Sequence, residues 1–215
     1  MPSGGKIPAP QRIERLCGAS GDRLTAYSGF PECPGHLPIA CMHKTIPRRE
    51  GWRFVMLNTN EVASCANVVG TPPAGKPEEL MEQIRKTGRE NGAGYNGGVS
   101  KKQLEWLKNE LETAEHKKEK VIVFSHHPLY AAPGLTALND REIPAVLAAY
   151  PCVKAGISGH HHPGDFGFHE DIPFITTEGM IETEKENAYA IVEITADRIV
   201  LNGKGRTTSH TLPIR

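Results

Sequence analysis

Six of the ten histidines fall between His126 and His169, and they arrive in two groups, Ser125-His126-His127-Pro128-Leu129 and Gly159-His160-His161-His162. Neutral imidazole is a common ligand for zinc, manganese and iron, and a Gly-His-x-His turn lets two rings point the same way while glycine permits a tight backbone path. His126, His160 and His162 are therefore the candidate metal ligands. A single loop histidine is more often a polar surface residue than a ligand. Three of them in two motifs that each follow an apolar run reverse that balance. His127, His161 and His169 are read as bystanders, because neighbours on an extended segment point to opposite sides. They remain candidates for the entrance of the site. His36, His43, His116 and His210 receive no role.

The elements that must position these side chains can be read from hydrophobic pattern. Val121 to Phe124 is a short apolar strand running into the first motif, and Val153 to Ile157 runs into the second. A helix expected over about Asp140 to Ala149 lies between them, so strand, helix and strand imply a parallel crossover. In open α/β sheets, ligands bind beyond the carboxyl ends of parallel strands, which is where both motifs would open. Trp52 to Thr59 reads as another buried strand ending in polar residues. Residues Pro77 to Glu90 suit a polar helix, and Gly92 to Gly98 a glycine-rich loop. Ser100 and Gln103 then match a capping box, with Leu104, Leu107 and Leu111 on one helical face and Trp106 beside it. Ile172 to Thr177, Ala188 to Ile194 and Arg198 to Asn202 read as three strands, with an antiparallel hairpin or meander in the tail. Residues 1–50 are rich in proline and glycine and read as an irregular lead-in, leaving 51–215 as the folded portion.

Composition narrows the classes. The chain has 215 residues, 38% hydrophobic and 23% charged, enough for one sizeable core. Lys plus Arg and Asp plus Glu both number 25, so no global charge draws it to nucleic acid or to an acidic membrane. No apolar run approaches the ~20 residues of a membrane-spanning helix. Five widely spaced cysteines, with no Cys-x-x-Cys pair and no apolar leader after Met1, suggest reduced thiols and a cytoplasmic location. Their spacing does not suit a structural zinc site. Gly92-Ala93-Gly94-Tyr95-Asn96-Gly97 formally matches a dinucleotide fingerprint, but a polar helical stretch precedes it where the phosphate cradle needs a strand. There is no phosphate-binding Walker loop and no nucleophile elbow.

With Ser125-His126-His127-Pro128-Leu129 and Gly159-His160-His161-His162 in this order, the chain resembles the calcineurin-like metallophosphoesterases. A narrower resemblance, from about Trp52 to Gly205, is to the manganese-dependent ADP-ribose/CDP-alcohol diphosphatases. It rests further on Trp52-Arg53-Phe54-Val55-Met56-Leu57, on Tyr95-Asn96-Gly97-Gly98 with Gln103-Leu104-Glu105-Trp106-Leu107, on Glu178-Gly179-Met180-Ile181-Glu182-Thr183 and on Gly203-Lys204-Gly205-Arg206. The resemblance implies an α/β fold, a metallophosphoesterase-like β-sandwich flanked by helices (α/β/β/α) and lacking its leading strands.

It also implies two divalent metal ions, manganese first, with zinc or iron as alternatives. His126 and His160 would bind one metal and His162 the other. The pair would polarise a phosphoryl group and lower the pKa of an attacking water. The substrate would be a small nucleotide, a nucleoside diphosphate linked to a sugar or alcohol. Tyr95 would stack on the base or serve as a structural plug. Glu178 would orient a ligand or hold a turn. The family's earlier blocks, Asp-x-His, Gly-Asp-x-x-Asp and Gly-Asn-His-Glu/Asp, do not occur in the sequence. The expectation is thus a C-terminal portion, a truncated gene product, inactive alone or completed by a chain that supplies the missing motifs. The alternative is a non-catalytic metal- or nucleotide-binding module derived from the same fold.

Overall fold

The computed structural model describes residues 44–49, 51–64 and 75–214. The main sheet has six strands in the order β1-β2-β5-β6-β8-β7. These are β1 (Lys44–Arg49), β2 (Trp52–Leu57), β5 (Lys120–Ser125), β6 (Val153–Ser158), β7 (Asp165–His169) and β8 (Ile172–Thr176). The four inner strands β2, β5, β6 and β8 run parallel, while β1 and β7 close the edges antiparallel. The helices are α1 (Pro77–Lys86), α2 (Lys101–His116) and α3 (Glu142–Ala148), and a two-residue ladder joins β3 (Val62–Ala63) to β4 (Gly97–Gly98). A second, antiparallel sheet consists of β9 (Ala188–Ile194), β10 (Arg198–Gly205) and β11 (His210–Pro213), in the order β11-β10-β9.

The layers follow from the two faces of β5, which is apolar from Val121 to Phe124 and buried through Ser125 because it is covered on both sides. Val121 and Val123 face the helices and pack with Val55, Leu57, Leu104, Leu107, Leu111, Ile143 and Leu147. Ile122 and Phe124 face the other way, onto Trp52, Ile157 and Ile175 of the same sheet and Ile199, Leu201 and Leu212 of the second. Each fully buried Leu or Ile contributes ~1.5–3 kcal/mol, so both interfaces anchor the main sheet. The described residues form helices, sheet and sheet in three layers.

Several expectations change at this level. Residues 44–49 lie in the segment read as an irregular lead-in, yet they pair with β2. Their register breaks between Ile46 and Arg49, where Pro47 has no amide hydrogen to give, a feature tolerated at a sheet edge. Most of residues 1–50 lie outside the described residues. Strand β8 joins the main sheet beside β6 rather than the tail meander, and β7 was not anticipated. The capping box forms by half: the Ser100 hydroxyl accepts from the Gln103 amide at 3.2 Å. The Gln103 side chain, instead of returning to Ser100, accepts from the Asn58 amide at 2.7 Å and donates to the Asn58 carbonyl at 3.0 Å and to Glu61. Glu61 takes over the vacated role and accepts from the Ser100 amide at 2.9 Å. This exchange locks the start of α2 to the segment that follows β2.

Candidate metal centre

The carboxyl ends of β2, β5, β6 and β8 meet along one edge of the main sheet, and the chain turns there into Asn58-Thr59, His126-His127, Gly159-His160 and Thr177-Glu178. The Gly159 amide donates to the His126 carbonyl at 3.1 Å, tying the second motif to the first. His160 takes a left-handed backbone conformation (φ +68°), which is uncommon for a residue with a Cβ and aims the ring back over β5. As a result, His160 Nδ1 lies 3.1 Å from His126 Nε2. On the far side of the His160 ring, Nε2 lies 3.3 Å from Asn96 Oδ1.

Asn96 is fully buried, and its amide nitrogen donates to the carbonyls of Asn91 and Gly134, both at 2.8 Å. Its oxygen therefore faces His160, where it can only accept. In a neutral His160 the hydrogen sits on Nε2, which leaves the Nδ1 lone pair facing His126. Without a cation, His126 Nε2–H can donate to that lone pair. With one, His126 and His160 would be the residues to hold it, each through the nitrogen that faces the other.

Electrostatics favour neutral rings. Burial, and then the imidazoles of His126, His162 and His161, push His160 down to about 4. His126 is lowered as well, by burial and by His162. Both are unprotonated at neutral pH, the form a metal requires.

His127 corrects the expectation that adjacent histidines would diverge. The chain bends after β5, and the three rings of His126, His127 and His160 pack with centroids 4.3–4.9 Å apart. Each offers one ring nitrogen to a group spanning no more than 4.8 Å. Yet both nitrogens of His127 are engaged. Nε2 meets the Tyr95 carbonyl at 3.3 Å and must donate there, so Nδ1 accepts from the Thr59 hydroxyl at 2.9 Å. Thr59 in turn accepts from the His127 amide at 3.1 Å. His127 is 2% exposed, and burial followed by its two imidazole neighbours pushes it down to about 2. It is the neutral floor of the site rather than a third open donor. Gly97 makes room for it, because a Cβ there would stand 2.9 Å from His127 Cε1 and 2.2 Å from the Thr59 carbonyl oxygen.

His162 stands apart from that trio, with its Nδ1 on the Glu182 carboxylate. Gly179 closes against the ring, and a Cβ at that position would lie 2.6 Å from His162 Cγ. Tyr95 projects from the glycine-rich loop, 56% exposed, with its ring 6.4 Å from that of His160. It is a rim residue and not a buried plug. Glu178 accepts from the Thr208 amide at 3.0 Å and from the Thr208 hydroxyl at 2.7 Å, so it holds the connection between β10 and β11. The carboxylate on a candidate ligand is Glu182 instead. His161 keeps a buried Nδ1 without a partner, and His169 packs on Tyr130 at 5.2 Å. Thr59, Asn96 and Glu182 were missed as site residues, although Asn96 and Glu182 stand inside the motifs Tyr95-Asn96-Gly97-Gly98 and Glu178 to Thr183.

Parallel strands that deliver neutral imidazoles to one edge, backed by a second sheet, make an α/β arrangement suited to holding a metal ion. Known proteins show what it is similar to. The chain is 35% identical over 130 residues to the manganese-dependent ADP-ribose/CDP-alcohol diphosphatase of Xenopus tropicalis, which covers 56% of this chain and 37% of that protein. It is 37% identical over 126 residues to the diphosphatase of the same name from Homo sapiens, covering 55% of this chain and 36% of that protein. The chain thus matches little more than a third of the length of these relatives. Among solved structures, a dimetal phosphatase from Danio rerio superposes with a TM-score of 0.71 at 27% identity, covering 80% of this chain and 60% of that one. No family model matches the chain.

Proposed function

We propose that the chain carries the histidine part of a binuclear metallophosphoesterase site, and that the complete site hydrolyses the pyrophosphate bond of nucleoside diphosphates linked to a sugar or alcohol, of the ADP-ribose and CDP-alcohol type. The observation that carries this reading is the His126–His160 pair, two neutral imidazoles 3.1 Å apart with one lone pair already turned inward. His126 and His160 would hold one cation and His162 the second. Manganese is the first candidate, since the relatives are named as manganese-dependent, with zinc or iron as substitutes. Bound cations would polarise the phosphoryl oxygens and activate a water for attack.

The chain's own residues bind and orient. Tyr95, exposed beside His160, offers a ring on which a nucleobase can stack. A small-molecule nucleotide substrate fits the even charge balance, which gives no pull toward nucleic acid. Among the described residues no helix is long and apolar enough to cross a membrane. Cys152 is a buried free thiol whose pKa burial pushes up to about 11, so it stays protonated and takes no part in the site.

The histidine cluster itself contains no carboxylate, and two divalent cations without a bridging anion repel one another. That favours one bound metal and little turnover by this chain alone, with the remaining ligands supplied by further sequence or by another chain. A non-catalytic metal-binding module is the second reading, and the same observation supports it. Calorimetric titration with manganese, run beside assays of ADP-ribose and CDP-choline hydrolysis, tests both. Metal binding that His126→Ala and His160→Ala each weaken at least tenfold is expected. Binding indifferent to both substitutions would overturn the ligand assignment, and turnover by the isolated chain would remove the non-catalytic reading.

A further inference from the structure

We infer that Asn96 and Glu182 are positioning residues that fix opposite tautomers on the two histidines of the Gly-His-x-His turn, so that His160 presents Nδ1 and His162 presents Nε2. The inference rests on the proposed metal-binding role, but it concerns hydrogens that each ring carries before any metal arrives.

The two acceptors are of different kinds. Asn96 is rigid and buried. Both hydrogens of its amide nitrogen are committed to backbone carbonyls 5 and 38 residues away in sequence, so the side chain cannot turn over without placing an amide nitrogen against His160 and an oxygen against two carbonyl oxygens. Its oxygen is held on His160 Nε2. Glu182 is 44% exposed and charged, and it acts through a charge-assisted bond to His162 Nδ1. A carboxylate accepts only, so Nδ1 of a neutral His162 keeps the hydrogen and Nε2 keeps the lone pair.

A histidine that ligates a metal normally donates its other ring nitrogen to such a partner, and removing the partner costs roughly 10–100-fold in metal affinity. Here the Gly-His-x-His turn uses one acceptor from the glycine-rich loop and one from the loop after β8. The resulting lone pairs leave the two rings from different positions, Nδ1 close to the backbone and Nε2 at the tip. This lets two histidines on the same short turn address two separate points.

The test is nitrogen NMR on metal-free, 15N-histidine-labelled full chain, which reads the tautomer of each ring directly. The expected result is Nε2–H on His160 and Nδ1–H on His162. Glu182→Ala, at an exposed position, should release His162 to a mixture of tautomers while leaving the His160 tautomer and the thermal transition unchanged. Asn96→Ala removes the accepting oxygen and should release His160 to a mixture of tautomers while leaving His162 unchanged. Finding the hydrogen on His160 Nδ1, or an unaltered His162 signature in Glu182→Ala, overturns the inference. Correct tautomers in a chain that binds no manganese would leave the positioning intact and refute the metal-binding reading instead.

Discussion

His127 carries no open donor, yet its burial ties it to the stability of the fold. Its unfolded imidazole takes up a proton near the ordinary 6.5, whereas the folded one resists until about 2. Below pH 6.5 the unfolded state therefore binds the extra proton, and stability falls as the pH is lowered. The slope reaches at most ~1.4 kcal/mol per pH unit from this one group, and His126 and His160 add to it with the same sign. Urea midpoints should drop between pH 7 and pH 5, and less steeply in His127→Gln; equal slopes would show that His127 is not the source. Gly179 gives a second residue-level prediction. Gly179→Ala places a methyl 2.6 Å from His162 Cγ, so the ring must move off the Glu182 side. The Nδ1–H signature of His162 in nitrogen NMR should weaken, as for the loss of a supporting partner, while the thermal transition shifts little; an unchanged signature would show that the ring keeps its place on Glu182. Of these residues, His162, expected beside His126 and His160, stands apart on Glu182, whereas the approach of His126 to His160 was legible, because each follows an apolar strand directly. The engagement of His127 was not, since Thr59 lies 68 residues away.

At the scale of elements, the site depends on how β2 is fastened to α2. Arg53 shares the helix-facing side of β2 with Val55 and Leu57 and is 1% exposed. Its guanidinium reaches Glu119 at 2.7 Å and Glu110 of α2 at 2.5 Å. Replacing it with Met keeps the volume but leaves Glu119, 8% exposed, without the cation it faces. Loss of one partner from a buried pair costs ~3–5 kcal/mol, so Arg53→Met should show that decrease in denaturant unfolding. A change below 1 kcal/mol would mean that water reaches the pair. The strand itself was readable from its apolar alternation. That its one arginine turns inward was not, because the deciding partners come from a helix and from the turn before β5.

For the whole molecule, a cation held between two motifs that belong to different strands, as proposed for His126 and His160, would link metal binding to folding. A ligand present at 100 times its Kd stabilises the folded state by ~2.7 kcal/mol. Manganese should therefore raise the melting temperature of the wild-type chain by several degrees, and a chelator should reverse the rise. His160→Ala should abolish the shift; an equal shift in that variant would place the metal elsewhere. The α/β architecture and the parallel order of β5 and β6 were legible from strand, helix and strand. The allocation of β8 to the main sheet was not, because a five-residue apolar strand fits a central parallel position and a tail meander equally well.

What the sequence determined by itself is local. Apolar runs that end in Ser-His and Gly-His place imidazoles at strand ends, and a serine before an amphipathic run starts α2. The tertiary structure decided which nitrogen of each ring carries the hydrogen. That choice is made by Asn96, 64 residues from His160, by Glu182, 20 residues from His162, and by the Tyr95 carbonyl, 32 residues from His127. A hydrogen bond fixes a tautomer only when its acceptor is held in place, and the packing of the strands and loops does the holding.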